Sequence, residues 1–269
     1  MGFNLARKYP YRMADDGQRL LEATDELAAL TGAVACRYFR RSVAVENKAD
    51  GSPVTIADRE AERRAREWII ERFPGDAILG EEFGESPGAT GRTWLLDPVD
   101  GTRTFIRGVP LWGSLVAVVA NGVVLAGAAA FPAVGERVAA APGEGCWHNG
   151  SRCRVSPIAR IEEATVLTTD EHGFGGGDPA SRRGWERLSA SAATVRTWGD
   201  CYGYLLVASG RAEVMVDARL NPWDSACFVP IIAEAGGTMT DLAGNRRWDL
   251  PNAIATNAAL AEAARSCFR

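Results

Sequence analysis

The chain has 269 residues, of which 46% are hydrophobic and 24% are charged, and its net charge is −4. These proportions are typical of a folded globular protein that needs neither disulfides nor a structural metal to form its core. The slightly acidic balance argues against nucleic-acid binding, which depends on clustered lysine and arginine side chains.

Two amphipathic helices are predicted in the first part of the chain. Apolar side chains recur at helical spacing from Leu20 to Tyr38, which predicts the first helix. The second is expected to begin after Thr55, with Asp58 near its positive end, and to stop before Pro74. Its arginines are interpreted as a solvated helix face rather than a nucleic-acid surface; they are Arg59, Arg63, Arg64 and Arg66.

A long uncharged segment follows. No side chain from Gly108 to Gly135 is charged, and the segment is longer than the roughly 20 residues that cross a bilayer. However, Asn121-Gly122 interrupts it, and Asn-Gly between β-branched residues is typical of a two-residue hairpin turn. We therefore predict two buried antiparallel strands, 114–120 and 123–130, and no association with a membrane.

The rest of the chain alternates between strands and helices. A soft boundary near Ser156 divides an N-terminal α+β half, 1–155, from a C-terminal α/β half, 156–269. The glycine-rich stretch 173–177 matches no phosphate-loop pattern and is interpreted as a flexible lid. The predicted strands are 77–79, 94–96, 164–169, 195–197 and 212–216, the predicted helices are 183–190, 202–208 and 225–235, and one more strand and helix follow Asn252.

The cysteines and the N-terminus indicate a cytoplasmic protein. The six cysteines are scattered without zinc-ligand spacing and are interpreted as reduced thiols. No apolar stretch follows Arg7, Lys8 and Arg12, so we expect no cleaved secretion signal. With only His148 and His172 in the chain, a histidine-rich metal site is not expected.

The most informative segment is an acidic motif at the end of a predicted strand. Asp97 ends the strand, and a proline-bent turn brings Asp100 back beside it. Ligands bind at such strand ends in α/β proteins, and two carboxylates there repel each other unless a proton or cation intervenes. Oxygen donors of this kind favour Mg²⁺. Taken alone, the motif is equally well explained by a turn with Asp100 as a helix cap.

Further acidic residues stand at other predicted element ends. Glu81 and Glu82 follow a strand, Asp224 stands where a later helix begins, and Asp58 opens the second helix. Each has a structural alternative, namely solvation for the glutamates, N-capping for Asp224 and the helix dipole for Asp58. Together they supply the several carboxylates that a site for two or three metal ions requires.

Three motifs, in this order, resemble the inositol monophosphatase superfamily. They are Gly80-Glu81-Glu82, Asp97-Pro98-Val99-Asp100-Gly101-Thr102 and Trp223-Asp224-Ser225-Ala226, and the resemblance extends from Asp58 to Asn257. It implies an α/β (α+β) fold, a layered α-β-α-β-α sandwich. It also implies a Mg²⁺-dependent, lithium-sensitive phosphomonoesterase that forms a homodimer.

The resemblance implies a set of metal ligands. Glu81, Asp97 and the backbone carbonyl of Val99 would bind a first Mg²⁺, and Asp97, Asp100 and Asp224 a second. Glu81 would reach a third ion through water.

It also implies how water and phosphate are held. Thr102, with Asp58 as its acidic partner and Glu81 beside them, would orient and activate the attacking water. The backbone N–H groups of Gly101 and Thr102 would hold phosphate oxygens, and Gly101 permits the close approach because it has no side chain. Phosphoryl transfer depends chiefly on positioning and charge neutralisation, so no covalent nucleophile is required.

The flanking segments 83–84, 105–110 and 198–202 resemble the histidinol-phosphate phosphatases of this superfamily. Histidinol phosphate carries an ammonium group and an imidazole, and Asp200 and Asp217 are acidic where the family places substrate-facing residues. The alternative is that Asp200 caps the helix at Tyr202 and Asp217 ends a strand in solvent.

The predicted reaction is therefore the hydrolysis of L-histidinol phosphate to L-histidinol and phosphate, a step of histidine biosynthesis. An inositol-1-phosphate or related sugar phosphatase is the enzymatic alternative. A regulator that binds phosphometabolites without turnover is the other, although binding alone needs no water-activating pair such as Asp58 and Thr102. The expected partners are a small phosphomonoester and a second copy of the chain.

Overall fold

The computed structural model describes residues 13–175 and 179–269, in which two large β-sheets lie between layers of helices and a third sheet has only two strands. Glycines 176 and 177 of the expected lid, and the basic residues Arg7, Lys8 and Arg12, lie outside the described residues. The first layer consists of α1, Met13–Cys36, and α2, Ile56–Arg72. Their apolar faces pack on the first sheet, where Leu27, Trp68 and Trp94 belong to one buried cluster.

Among the described residues, the larger sheet has eight strands. Only the neighbours β3 and β5 run parallel, and the other paired strands are antiparallel. A short antiparallel pair, β1 and β2, precedes α2. The bounds are β1 Val45–Asn47, β2 Pro53–Thr55, β3 Ala77–Gly80, β4 Gly84–Ser86, β5 Arg92–Asp100, β6 Gly113–Ala120, β7 Val123–Phe131, β8 Glu136–Ala141, β9 Gly145–His148 and β10 Ser151–Arg152, and the order across the sheet is β10-β9-β8-β7-β6-β5-β3-β4.

The uncharged segment forms the hairpin β6–β7 in the middle of this sheet, as predicted. Asn121 and Gly122 have φ angles of 52° and 77°, the left-handed conformation that a type I′ turn requires at both central positions. Within residues 13–175 and 179–269, no helix combines the length and the apolar character needed to cross a bilayer.

The smaller sheet and its helices complete the layers. Helices α5 and α7 lie between the two sheets, where Tyr204 and Phe228 share a core with Leu115 of β6. Helices α4 and α8 cover the outer face, with Trp185 packed near Ile254. The bounds are α3 Thr102–Ile106, β11 Thr165–Leu167, α4 Pro179–Ser191, β12 Thr194–Arg196, α5 Cys201–Ala208, β13 Val214–Asp217, α6 Pro222–Ser225, α7 Phe228–Glu234, β14 Gly237–Thr240, β15 Ala253–Asn257 and α8 Ala261–Ser266.

This arrangement is the layered α-β-α-β-α sandwich, so the fold prediction is confirmed. The division into 1–155 and 156–269 stays a prediction. The core between the sheets draws residues from both halves. All six cysteines lie in the described part of the chain and are free, with the sulfurs of Cys146 and Cys153 3.1 Å apart.

Two local predictions are wrong. The helix expected over 225–235 begins only at Phe228, as α7, and a separate short helix, α6, ends at Ser225. The solvated arginine face holds for Arg63 and Arg64, which pair with Glu67 at the surface. Arg66 is instead only 12% exposed, because its guanidinium is paired with the buried carboxylate of Glu62.

Candidate active site

An irregularity in β5 brings two aspartates together. Along the antiparallel pair, Asp97 lies opposite Leu115 and Asp100 lies opposite Gly113, so β5 uses one residue more than β6 over the same interval. Side chains three positions apart in a regular strand point to opposite faces, whereas a bulge redirects one of them. The Pro98–Val99 step thus allows both carboxylates to face the same site.

Asp224 completes a carboxylate cluster with this pair. Asp97, Asp100 and Asp224 each offer an oxygen atom, and these atoms lie within 4.8 Å of one another. Burial, and next the charges of neighbouring carboxylates, raise the pKa of Asp97 and of Asp100 well above the usual value. Burial also raises the pKa of Asp224 to about 7. Such a set of oxygen donors needs protons or a cation to neutralise it, and it fits a divalent cation.

Glu81 stands beside this cluster. It follows β3, donates its backbone N–H to the carbonyl of Leu96 on β5, and its charge contributes to the raised pKa of Asp97. The ammonium of Lys48 lies 2.8 Å from Glu81 Oε1 and 2.6 Å from Glu82 Oε1. Although burial alone would lower it, these hydrogen bonds raise the pKa of Lys48. No sequence pattern singles out Lys48, which lies in a polar segment between two short strands.

Asp58 and Thr102 are in contact. The Thr102 hydroxyl lies 3.2 Å from Asp58 Oδ1 and 3.0 Å from the Val99 carbonyl, and its single hydrogen can serve only one acceptor at a time. Asp58 also accepts the Thr55 N–H at 2.8 Å in the capping box of α2. The carboxylate therefore caps a helix and reaches the site, and burial raises its pKa.

Residues from the second half of the chain hold Asp224 and Asp100. Asp224 Oδ2 accepts the Asn221 N–H at 2.7 Å in the capping box of α6, where Asn221 is the N-cap and Asp224 lies in the first turn. The expected N-cap role therefore belongs to Asn221. Asp100 Oδ2 accepts the Cys201 N–H at 2.5 Å, which joins β5 to the start of α5.

A cavity of about 130 Å³ adjoins the cluster. It contains both predicted substrate aspartates and, in addition, an arginine that no sequence pattern singled out. Larger grooves of about 300 and 320 Å³ lie elsewhere, but neither contains a residue predicted for the site. The lining residues of the cavity are Asp100, Thr169, Asp200, Cys201, Tyr204, Asp217, Arg219, Leu220 and Asp224.

Asp217 ends β13 inside the protein. It is 4% exposed, so the alternative of a solvated strand end is wrong. The Tyr204 hydroxyl donates to Asp217 Oδ2 at 2.8 Å, and the Thr169 N–H donates to Oδ1 at 3.1 Å. Burial raises the pKa of Asp217 to about 6.

Asp200 joins α5 to the start of α3. Its side chain makes no capping bond to α5 and accepts the Thr104 hydroxyl at 2.6 Å, so the capping alternative is wrong. Its backbone, with φ 48° and ψ −157°, lies in a region that normally only glycine adopts, and such strain is often found at functional sites. A Cβ on Gly101 (φ 83°) would lie 2.9 Å from Asp200 Oδ2, so both space and conformation require glycine there.

The structure thus brings the predicted residues to one region. Asp97, Asp100 and Asp224 share the cluster, and the cavity places Asp200 and Asp217 beside two of them. Helix α3 begins at Thr102, just after the end of β5, and Thr102 contacts Asp58 there.

Comparisons with known proteins identify the family of the chain. The sequence model of the inositol monophosphatase family matches residues 16–267. The chain is 46% identical over 227 residues to a histidinol-phosphatase of Chlorobaculum parvum, covering 84% of this chain and 87% of the relative. It is 35% identical over 246 residues to a histidinol-phosphatase of Mycobacterium tuberculosis, covering 90% and 92%.

A solved structure of an inositol monophosphatase has the same fold. An inositol monophosphatase from Zymomonas mobilis superposes with a TM-score of 0.81 at 31% identity, covering 96% of this chain and 99% of that one. The chain therefore belongs to the inositol monophosphatase family.

Proposed function

We propose that the protein is a Mg²⁺-dependent phosphatase that hydrolyses L-histidinol phosphate. The observation that carries the proposal is the cavity in which Asp200 and Asp217 adjoin Asp100 and Asp224. A phosphate held at the cluster would place its alcohol in this cavity. The two histidinol-phosphatases among the relatives support the choice of substrate.

The carboxylate cluster is the metal site of this proposal. Glu81, Asp97 and the Val99 carbonyl would hold one Mg²⁺, Asp97, Asp100 and Asp224 would hold a second, and Glu81 would contribute to a third, weaker site through water. When bound, the ions supply positive charge to the phosphate and lower the pKa of a water molecule. Without them, protons would neutralise the buried carboxylates, as their raised pKa values indicate, and the cluster would offer the phosphate no positive charge.

The protein's own groups position the reactants. When the Thr102 hydroxyl donates to Asp58, its lone pairs are free to accept a hydrogen bond from the attacking water. Asp58 then takes up the proton of that water by way of the hydroxyl, a step that its raised pKa favours. The N–H groups of Gly101 and Thr102 hold phosphate oxygens at the start of α3.

The cavity selects the alcohol. Histidinol presents an ammonium group and an imidazole, and Asp217 offers a buried carboxylate whose remaining acceptor capacity suits such donors. Inositol is neutral and gains less from two aspartates. Inositol-1-phosphate or a related sugar phosphate remains the second candidate, supported by the inositol monophosphatase of Zymomonas mobilis.

Phosphate release with and without Mg²⁺ separates catalysis from the non-enzymatic alternative of phosphometabolite binding. The kcat/KM values for histidinol phosphate and inositol 1-phosphate, measured side by side, then test the substrate. A preference for inositol 1-phosphate would favour the second candidate. We further propose inhibition by Li⁺, a cytoplasmic location and a homodimer, the last of which light scattering during size-exclusion chromatography tests.

A further inference from the structure

A buried carboxylate outside the cluster contacts the turn that carries Glu81. Glu62 lies on α2 one turn after Asp58 and is 0% exposed. The Glu82 N–H donates to Glu62 Oε2 at 2.7 Å, and the Phe83 N–H donates to Oε1 at 3.2 Å. A charge at this depth is costly unless it is paired and hydrogen-bonded, and here it binds the backbone directly after Glu81.

Arg66 extends the same attachment to the next strand. Its Nε donates to Glu62 Oε1 at 2.7 Å, its Nη1 lies 2.9 Å from Ser86 Oγ, and its Nη2 donates to the Gly84 carbonyl. One ion pair on α2 therefore holds both sides of the turn between β3 and β4. We call Glu62 and Arg66 the α2 clamp.

Gly80 makes the clamp possible. A Cβ at this position would overlap the Glu62 carboxylate. The glycine therefore serves close approach rather than a left-handed turn, which explains the first residue of the Gly80-Glu81-Glu82 motif.

We propose that Glu62 and Arg66 are positioning residues that fix the backbone of Glu81 for Mg²⁺. This inference rests on the proposed function. Lys48 also pairs with the Glu81 carboxylate, so in a mobile turn the Glu81 side chain could move with Lys48 and away from Asp97. A fixed backbone limits that movement and keeps the carboxylate beside Asp97 without an ordering cost when the ion binds.

Glu62→Gln removes the charge and keeps the shape. The amide oxygen can replace only one carboxylate oxygen. The NH₂ group of the glutamine must therefore face at least one N–H that now donates a hydrogen bond to Glu62, and that hydrogen bond is lost. Arg66→Lys keeps the charge and loses the guanidinium's several simultaneous bonds. Glu67→Gln is the matched control, because Glu67 lies on the same helix in exposed pairs with Arg63 and Arg64.

The first measurement is Mg²⁺ binding by calorimetry in the absence of substrate. We expect Glu62→Gln and Arg66→Lys to weaken binding by about 10- to 100-fold, the usual effect of losing an outer partner of a metal ligand. Glu67→Gln should bind like the wild type. At saturating Mg²⁺ the kcat of Arg66→Lys should return to within about twofold of the wild-type value, because the residue acts only through the placement of Glu81.

The second measurement is hydrogen exchange of the segment 80–86 in the metal-free protein. Both clamp variants should exchange faster there, and the control should not. Wild-type Mg²⁺ affinity in both clamp variants, or an equal loss in Glu67→Gln, would overturn the inference. If Glu62→Gln does not fold, Arg66→Lys decides the question. Absence of Mg²⁺ binding in the wild type would overturn the proposed function, and the inference with it, even where exchange changes as expected.

Discussion

Replacing Asp224 by asparagine should stabilise the metal-free protein while abolishing turnover. The pKa of Asp224 is raised from 3.8 to about 7, mainly by burial. The folded protein therefore holds this proton more tightly than the unfolded chain does, and stability falls as the pH rises from about 4 to about 7. A shift of about three pKa units corresponds to about 4 kcal/mol lost above pH 7.

The asparagine avoids this loss and keeps most of the helix cap. Its side-chain oxygen can still accept the Asn221 N–H, and an imperfect cap costs about 1 kcal/mol. The net gain at pH 8 is then about 3 kcal/mol, or about 6–12 °C in Tm for a protein of this size. With Mg²⁺ present the order reverses, because the ion stabilises the wild type by mass action and binds the variant poorly.

Thermal unfolding in EDTA at pH 4.5 and pH 8 measures the effect, and the same scans with Mg²⁺ measure the reversal. Asp249→Asn is the control, since pairing with Arg247 lowers the pKa of Asp249 and its loss should not stabilise the protein. The reasoning is refuted if Asp224→Asn is no more stable than the wild type at pH 8 in EDTA. An equal gain at both pH values would refute it as well.

Three further results are expected. Thr102→Val and Asp58→Asn should each lower kcat by about 10²-fold or more with little change in KM, and Thr102→Ser should retain most of the rate; a loss confined to KM would make the pair structural. Asp200→Asn and Asp217→Asn should each lower kcat/KM for histidinol phosphate by about 30- to 1000-fold, since losing one charge from a buried ionic contact costs about 2–4 kcal/mol. The kcat/KM for glycerol 2-phosphate should scarcely change. Equal losses on both substrates would contradict recognition of the ammonium or imidazole group. In phosphate-release assays at saturating Mg²⁺, LiCl should inhibit and KCl at the same ionic strength should not.

Much of the fold followed from local patterns. The Asn121-Gly122 turn and the Thr55 cap depend on neighbouring residues alone, so the hairpin and the start of α2 were predicted correctly. The strands β8 to β10 and β14 were not predicted, because short strands acquire their structure from pairing with a neighbour. Strand β8 pairs with β7, β9 with β8, β10 with β9 and β14 with β15. The break between α6 and α7 has a local signal in Pro230, because a proline has no N–H to donate and is tolerated only in the first turn of a helix, where α7 places it.

For the site, the sequence indicated which acids meet but not how they are held. Acidic residues at several element ends indicated the cluster of Asp97, Asp100 and Asp224. The burial of Arg66 could not be predicted, because it depends on a turn about 20 residues away that folds onto α2. The unusual backbone of Asp200 accompanies contacts with Thr104 and Thr169, which lie 96 and 31 positions away in the chain.

The contact between Asp100 and the Cys201 N–H has a consequence for biosynthesis. The two residues are 101 positions apart, and Asp224 lies still further along the chain. Contacts so distant in sequence form late in folding, because the intervening chain must first be made and ordered. A nascent chain of which only the larger sheet has left the ribosome already carries Glu81, Asp97 and Asp100 but does not yet expose Asp224. If Asp224 is a metal ligand as proposed, the complete ligand set, and with it phosphatase activity, arises only after the smaller sheet has been synthesised and has docked.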